Sequence, residues 1–91
     1  MSNVVALITG GNRGIGKAIA IEFAKSGVSL VINYHRHAML AEKLREEIVD
    51  QYDVDVLCVK ADVSREEEVE VMIQKAIDHY GKIDILVNNA G

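Results

Sequence analysis

The sequence contains no proline, no tryptophan and only one cysteine. No Pro-rich or Ser-rich stretch interrupts it, so the chain offers no candidate for an interdomain linker or a low-complexity tail. The single cysteine, Cys58, excludes an internal disulfide. No apolar run approaches the roughly 20 residues that a membrane span requires, and no charged segment followed by an apolar one opens the chain. We therefore expect a cytoplasmic domain that does not associate with membranes.

An excess of positive charge is absent as well. The formal net charge is -4 at pH 7, and the lysines and arginines are scattered along the chain. Surfaces that bind nucleic acids concentrate positive charge to meet the phosphates, so we expect no nucleic-acid partner. Of the 91 residues, 49% are apolar. This composition suffices for one buried core, and residues 1–91 are expected to fold as one unit.

Short apolar runs alternate with amphipathic segments along the whole chain. The runs that we predict to be strands cover residues 4–8, 28–33, 54–60 and 83–87. The segments between them are predicted to be helices over residues 14–25, 38–51 and from Ser64 to the residue before Gly81. Each crossover is long enough to carry a helix, which favours parallel strands joined by right-handed βαβ units. The pattern therefore predicts an α/β fold.

Local signals predict where the helices begin, end and pack. The stretch Ser64-Arg65-Glu66-Glu67 matches a capping box at the start of the third helix. Gly27 and Gly81 are expected to end the first and third helices. In the second helix, the apolar line Leu40, Leu44 and Ile48 is expected to face the sheet.

A glycine-rich loop, Thr9-Gly10-Gly11-Asn12-Arg13-Gly14-Ile15-Gly16, joins the first predicted strand to the first predicted helix. In an open parallel sheet, ligands bind beyond the carboxyl ends of the strands, where this loop lies. Gly10 would let the chain turn, Gly14 would let the backbone approach a pyrophosphate, and Gly16 would let the helix lie close to the strand. The helix N-terminus would offer N–H groups to the phosphates. An ordinary glycine turn is the alternative interpretation.

The spacing of this loop is Thr-Gly-x-x-x-Gly-x-Gly, which differs from the common Gly-x-Gly-x-x-Gly pattern because Ile19 occupies the last position. Asp62-Val63 follows the third predicted strand, and Asn88-Asn89-Ala90-Gly91 follows the fourth. In these motifs and their order the whole chain resembles the short-chain dehydrogenase/reductase family. Within that family it is most similar to the 3-oxoacyl-acyl-carrier-protein reductases of fatty acid biosynthesis. Glucose dehydrogenase-like members are close behind, because of Asn33-Tyr34-x-Arg36.

The resemblance implies a fold and a set of residues that bind the cofactor. The fold would be a Rossmann-type parallel sheet in the strand order 3-2-1-4, with helices on both faces and with the chain truncated after the fourth strand. Asp62 would accept a hydrogen bond from the adenine amino group, and Val63 would pack beside the ring. By residue type alone, Asp62 could equally be an acid that flanks the following helix. The remaining positions would line the diphosphate and the riboses: Gly10, Asn12, Arg13, Gly14, Ile15, Gly16, Asn88, Ala90 and Gly91.

The end of the second predicted strand decides between NAD and NADP. An acid there binds the ribose 2′-OH of NAD and would repel the 2′-phosphate of NADP. The chain has Tyr34 at that position, followed by His35 and Arg36. Arg36 and Arg13 could converge on a phosphate with charge-assisted hydrogen bonds, so we expect NADP (as NADPH) in preference to NAD. The alternative is that both arginines are only solvated surface residues.

We expect neither a metal site nor a reactive cysteine. His35 and His37 alternate along an extended segment, but no third ligand accompanies them. Cys58 lies within an apolar run and is interpreted as a core or half-core residue.

No catalytic residue can be assigned within the 91 residues. The resemblance implies a catalytic serine and a Tyr-x-x-x-Lys pair, yet Tyr34, Tyr52 and Tyr80 are followed at that spacing by Ala38, Val56 and Asp84. We therefore expect the N-terminal, cofactor-binding half of a reductase domain, inactive alone, whose full-length form acts on a carbonyl substrate as a homo-oligomer. The alternative is a non-catalytic nucleotide-binding module.

Overall fold

The computed structural model describes residues 4–12 and 14–89 of the chain. Within these ranges, strands and helices alternate as the sequence predicts. The strands are β1 (Val5–Ile8), β2 (Ser29–Tyr34), β3 (Val56–Lys60) and β4 (Ile85–Val87). The helices are α1 (Gly14–Lys25), α2 (Ala38–Tyr52) and α3 (Glu66–Tyr80). The predicted bounds of α1 are confirmed, and the predicted strands begin one or two residues earlier than the observed ones.

The four strands form one parallel sheet in the order β3-β2-β1-β4. This order confirms the predicted Rossmann-type topology. Strand β1 is central: Ala6 pairs with Leu30 of β2 on one side and with Ile85 of β4 on the other. Because all strands run the same way, their carboxyl ends meet at one edge of the sheet. Ligands of open parallel sheets bind beyond that edge.

Alternate residues of the strands face two separate apolar cores. On one face, Ala6 and Ile8 of β1 pack with buried residues of α1 and α2. On the other face, Val5 and Leu7 pack with residues of α3. A strand covered on both faces must be apolar throughout, which explains why the run contains no polar residue. The prediction of helices on both faces is confirmed.

The capping-box prediction for α3 is wrong. The helix begins at Glu66, and Arg65, the preceding residue, makes no side-chain cap. Ser64 lies one residue before the N-cap position, and its hydroxyl donates a charge-assisted hydrogen bond to the Asp62 carboxylate at 2.7 Å. Glu68, rather than Glu67, reaches back, and its Oε1 accepts the N–H of Asp62 at 2.8 Å.

The predicted apolar line of α2 is correct in two of its three members. Leu44 and Ile48 are buried, whereas Leu40 is 42% exposed and Ala41 faces the core in its place. Residues 41, 44 and 48 form a helical line as regular as 40, 44 and 48. The small side chain allows α2 to approach β3, where the Cys58 thiol lies 3.5 Å from the Ala41 carbonyl.

The predicted helix ends are present at Gly27 and Gly81, whose φ angles are 81° and 83°. None of the described helices is both long and apolar enough to cross a membrane.

Asp84 fixes the start of β1 against the segment that leads into β4. Its carboxylate accepts the N–H of Val5 at 2.8 Å, and its own N–H donates to the Val5 carbonyl at 2.9 Å. Lys82 lies 3.1 Å from the same carboxylate oxygen. The Val5 hydrogen bond, and then Lys82, hold the pKa of Asp84 below its usual value.

This lowered pKa makes stability depend on pH in a defined direction. A carboxylate whose folded-state pKa is depressed stabilises the fold above its unfolded-state pKa of about 4, and this contribution is lost as the pH falls through the folded-state pKa. We expect Asp84→Asn to unfold at lower urea concentration than the wild type at pH 7, with the gap closing towards pH 3. Asp78→Asn, at an exposed helical position, is the control. A gap that stays constant with pH would contradict the assignment.

Candidate functional site

A cleft of about 770 Å³ lies beyond the carboxyl ends of the strands. Eight of the residues predicted from the sequence to bind a cofactor line it: Gly10, Asn12, Gly14, His35, Arg36, Asp62, Val63 and Asn88. Five further lining residues were not predicted: Asn33, His37, Ala61, Ser64 and Asn89. Segments that are far apart in the chain therefore meet at one place.

The other predicted residues do not line the cleft or are not described. Gly16 is buried beneath the glycine-rich loop, Ile15 is 74% exposed, and Tyr34 is half-buried at the end of β2. Arg13, Ala90 and Gly91 lie outside the described residues.

Gly14 begins α1 and leaves open space beside the helix N-terminus. Its φ is 62°, a left-handed conformation that other residues rarely adopt. Apart from the adjoining backbone, no atom of the described residues lies within 4 Å of the position that a Cβ would take. The first N–H groups of a helix have no acceptor within the helix, and the positive end of the helix dipole lies at the same place. This end of the cleft suits an anion.

Gly16 makes the close approach that the sequence predicts. A Cβ on this residue would collide with the Gly10 carbonyl oxygen, and it would lie 2.9 Å from Gly11 Cα and 2.7 Å from Asn89 Nδ2. These atoms belong to the loop that follows β1 and to the segment that follows β4. Helix α1 thus packs directly on the backbone that borders the cleft.

Asn33 holds the glycine-rich loop to β3 and was missed as a site residue. Its side chain is 1% exposed. Its Oδ1 accepts the N–H of Gly10 at 3.1 Å, and its Nδ2 donates to the carbonyls of Ala61 at 3.1 Å and Val59 at 3.4 Å. A polar residue at the end of an apolar buried strand is the sequence signal that could have revealed this role.

Asn12 links the glycine-rich loop to the β2–α2 connection. Its buried side chain donates from Nδ2 to the carbonyls of Arg36 at 3.1 Å and His37 at 3.4 Å. The amide nitrogen therefore faces protein carbonyls, which makes Asn12 a residue that positions two loops. His37, at the end of this connection, has a φ of 64°.

The segment after β4 is tied to the same loop. The N–H of Asn89 donates to Thr9 Oγ1 at 2.9 Å, and Asn89 Nδ2 donates to the Gly10 carbonyl at 3.3 Å. The N–H of Thr9 donates to the Val87 carbonyl at 3.1 Å, continuing the ladder between β1 and β4. Asn88 is exposed to the cleft, and its Oδ1 accepts the Thr9 hydroxyl at 3.4 Å.

Asp62 is the acidic group of the cleft. Its Oδ1 accepts the hydroxyl of Ser64 at 2.7 Å and the N–H of Ser64 at 3.0 Å. These two hydrogen bonds, with smaller contributions from His35 and Arg65, hold the pKa of Asp62 below its usual value. The carboxylate is therefore ionised at neutral pH. Its other oxygen, Oδ2, lies 3.8 Å from His35 Nε2.

The described residues contain no cluster of three or more metal-ligating side chains. Cys58 is half-buried, and burial raises the pKa of its thiol to about 11. The thiol stays protonated at neutral pH and is a poor nucleophile there, as the sequence predicts.

Comparison with known proteins identifies the family. The family model for short chain dehydrogenase matches residues 4–91. The chain belongs to the short chain dehydrogenase family. Two curated relatives of this family match the whole chain: the hydroxynaphthalene reductase-like protein Arp2 of Metarhizium anisopliae is 45% identical, and glucose 1-dehydrogenase 2 of Bacillus subtilis is 38% identical. The chain spans 34% and 35% of their lengths.

A solved structure with the same architecture is that of L-sorbose reductase from Gluconobacter frateurii, complexed with NADPH and L-sorbose. The TM-score is 0.92 and the sequences are 38% identical, over 100% of this chain and 34% of the reductase. This chain therefore has the same fold as one third of a reductase whose structure contains NADPH.

The buried amide of Asn33 provides a test of how the cleft is held together. Asn33→Leu roughly keeps the side-chain volume. It removes the hydrogen bonds that Asn33 makes with the Gly10 N–H and with the carbonyls of Val59 and Ala61. We expect a loss of about 2 to 4 kcal/mol in the free energy of unfolding, measured by urea denaturation. Asn88→Leu makes the same chemical change at an exposed position, where only a long hydrogen bond from the Thr9 hydroxyl is lost, and it should reduce stability by less than about 1 kcal/mol. Equal losses in the two variants would refute the role of Asn33.

Proposed function

We propose that residues 1–91 form the N-terminal NADP-binding half of a reductase domain whose whole protein transfers hydride between NADPH and a carbonyl substrate. The proposal depends on the combination of groups at the cleft. An open helix N-terminus at Gly14 and the basic residue Arg36 both border it. At the end of β2 the chain has Tyr34, where an NAD-binding site would have an acid. Family membership and the likeness to an NADPH-bound reductase support it.

The residues around the cleft fit each part of such a dinucleotide. The N–H groups at the start of α1 and the open space at Gly14 suit the diphosphate. The ionised carboxylate of Asp62 can accept a hydrogen bond from the adenine amino group, and Val63 offers an apolar contact beside it. Arg36 lines the cleft next to the end of β2 and suits a 2′-phosphate; Arg13 would join it.

The remaining predicted residues take supporting roles in this proposal. Ile15 and Gly16 contribute N–H groups of the first helical turn, and Asn12 keeps the two phosphate-facing loops together. His35 borders the adenine end beside Asp62. Asn88, Ala90 and Gly91 would run beneath the ribose.

The chemistry divides between cofactor and protein. When bound, the nicotinamide supplies or receives the hydride. The residues of this chain hold and orient the dinucleotide, which lowers the entropic cost of reaction. A proton must also reach the developing alkoxide, and the 91 residues contain no Tyr-x-x-x-Lys pair to deliver it. We place that acid in the two thirds of the relatives' length that this chain does not span, and we expect no turnover by the 91 residues alone.

Among possible substrates we propose a 3-oxoacyl thioester on acyl carrier protein, in a cytoplasmic, homo-oligomeric whole protein. The motif Asn33-Tyr34-x-Arg36 keeps a glucose dehydrogenase-like activity as the second candidate, and glucose 1-dehydrogenase 2 is one of the relatives. Assays of the whole protein with acetoacetyl thioesters and with glucose separate the two substrate classes.

Tyr34 provides the test of cofactor choice. Tyr34→Asp places a carboxylate at the end of β2, where it would accept from a ribose 2′-OH and repel a 2′-phosphate. We expect the ratio of NADPH affinity to NADH affinity, measured by fluorescence titration, to fall at least about tenfold, or about 1.4 kcal/mol.

Tyr34→Phe is the matched control, since it keeps the ring without adding charge, and its ratio should stay within about twofold of the wild type. A wild type that already binds NADH tenfold more tightly than NADPH would contradict the proposed cofactor.

A further inference from the structure

Two loops meet at the adenine end of the cleft through one pair of ionisable side chains. His35 belongs to the β2–α2 connection and Asp62 to the β3–α3 connection, and His35 Nε2 lies 3.8 Å from Asp62 Oδ2. The side chains are 51% and 27% exposed. Both residues line the cleft, so the pair is accessible to a ligand and to solvent protons.

The carboxylate of this pair stays negative over the range in which histidine titrates. Ser64 donates two hydrogen bonds to Asp62 Oδ1, which favours the ionised form. A fixed negative charge next to His35 and Arg36 opposes the binding of a phosphate at the same end of the cleft. Arg36 supplies one positive charge at this end of the cleft, and a protonated His35 would offset the negative charge of Asp62 itself.

Among the described residues, the charged and titratable groups around His35 come from two connections. Its own connection contributes Arg36 and His37, and the β3–α3 connection contributes Asp62. Behind Asp62, Arg65 pairs with Glu68 at 3.3 Å, so that the arginine is already engaged by an acid. Arg13 of the glycine-rich loop lies outside the described residues. Among the described groups, His35 is the titratable side chain paired with Asp62 within 4 Å.

We propose that His35 makes the recognition of a 2′-phosphate proton-linked. When protonated, the imidazole lies between Asp62 and the phosphate, offsets the negative charge of the carboxylate and donates a hydrogen bond to the phosphate. When neutral, it leaves the negative charge of the carboxylate unscreened. The preference for a 2′-phosphorylated nucleotide is then stronger at pH 5.5 than at pH 8.5. This inference rests on the proposed function, because it concerns the same end of the same cleft.

The test compares the wild type with His35→Gln at equal pH, so that titration of the ligand's own phosphates cancels. The probe is adenosine 2′,5′-bisphosphate, and dissociation constants are measured by isothermal titration calorimetry at pH 5.5 and 8.5. We expect His35→Gln to bind about three- to fivefold more weakly than the wild type at pH 5.5, and equally at pH 8.5. Circular dichroism of each variant confirms that the fold is retained.

Two controls separate the proposed charge effect from a structural one. Adenosine 5′-monophosphate lacks the 2′-phosphate, so the loss of affinity that His35→Gln causes at pH 5.5 should be smaller for the monophosphate than for the bisphosphate. His35→Arg carries a permanent charge, so it should bind the bisphosphate with the same advantage over His35→Gln at both pH values.

The outcomes distinguish a failure of the proposed NADP site from a failure of the proton linkage. If the bisphosphate binds no more tightly than the monophosphate in any of these proteins at either pH, the proposed NADP site fails and the proton linkage with it. If the bisphosphate is preferred but the ratio of wild type to His35→Gln is the same at both pH values, the NADP site stands and the proton linkage is overturned.

Discussion

The close contact between Gly16 and the backbone of the glycine-rich loop is the constraint on which the rest of the cleft depends. A single methyl group at Gly16 would collide with the Gly10 carbonyl oxygen and press on Asn89. Because that space is filled by main chain and by a tethered amide, α1 must begin immediately above the ends of β1 and β4. The helix N-terminus is thereby fixed at the cleft. The loops and side chains that line the cleft are arranged around it.

Two buried asparagines then hold the surrounding loops at fixed distances from the helix. Asn33 connects Gly10 to the end of β3, and Asn12 connects the same loop to the β2–α2 connection. Among the described residues, no buried side-chain nitrogen or oxygen lacks a hydrogen-bond partner. A fully satisfied polar network in a low-dielectric interior is rigid, which suits a site that must hold a ligand in one orientation. Asp62 and His35 lie at its open end, where charge rather than packing determines what binds.

The sequence predicts the fold well because the fold depends on short-range patterns. Apolar runs, helical periodicity and the glycines that end α1 and α3 are sufficient for the element order and for a parallel sheet. The errors arise where two local solutions are nearly equivalent: α3 could begin after Ser64 or after Arg65, and either Leu40 or Ala41 could face β3. Tertiary contacts decide such cases, and the sequence does not contain them explicitly.

The site is predicted in its parts but not in its connections. Glycine spacing and the resemblance to a family point to the loop, to Asp62 and to the end of β2. The contact between His35 and Asp62, and the bridging role of Asn33, depend on the register of β2 against β3, where Asn33 lies opposite Val59. A shift of that register by one residue would turn these side chains to the other face, and no local signal sets it.

The central claim, that the start of α1 binds the phosphates of NADP, is tested most directly by a matched pair of glycine variants. Gly14 and Gly27 both have positive φ angles, of 62° and 81°, and apart from adjoining backbone a Cβ on either would meet no atom of the described residues within 4 Å. Alanine should therefore strain both positions to a similar degree, by about 1 to 2 kcal/mol, but only at Gly14 would the methyl group enter the cleft. The account predicts that Gly14→Ala weakens NADP binding by about tenfold or more and that Gly27→Ala changes it by less than about twofold. Equal affinities in the two variants would contradict it.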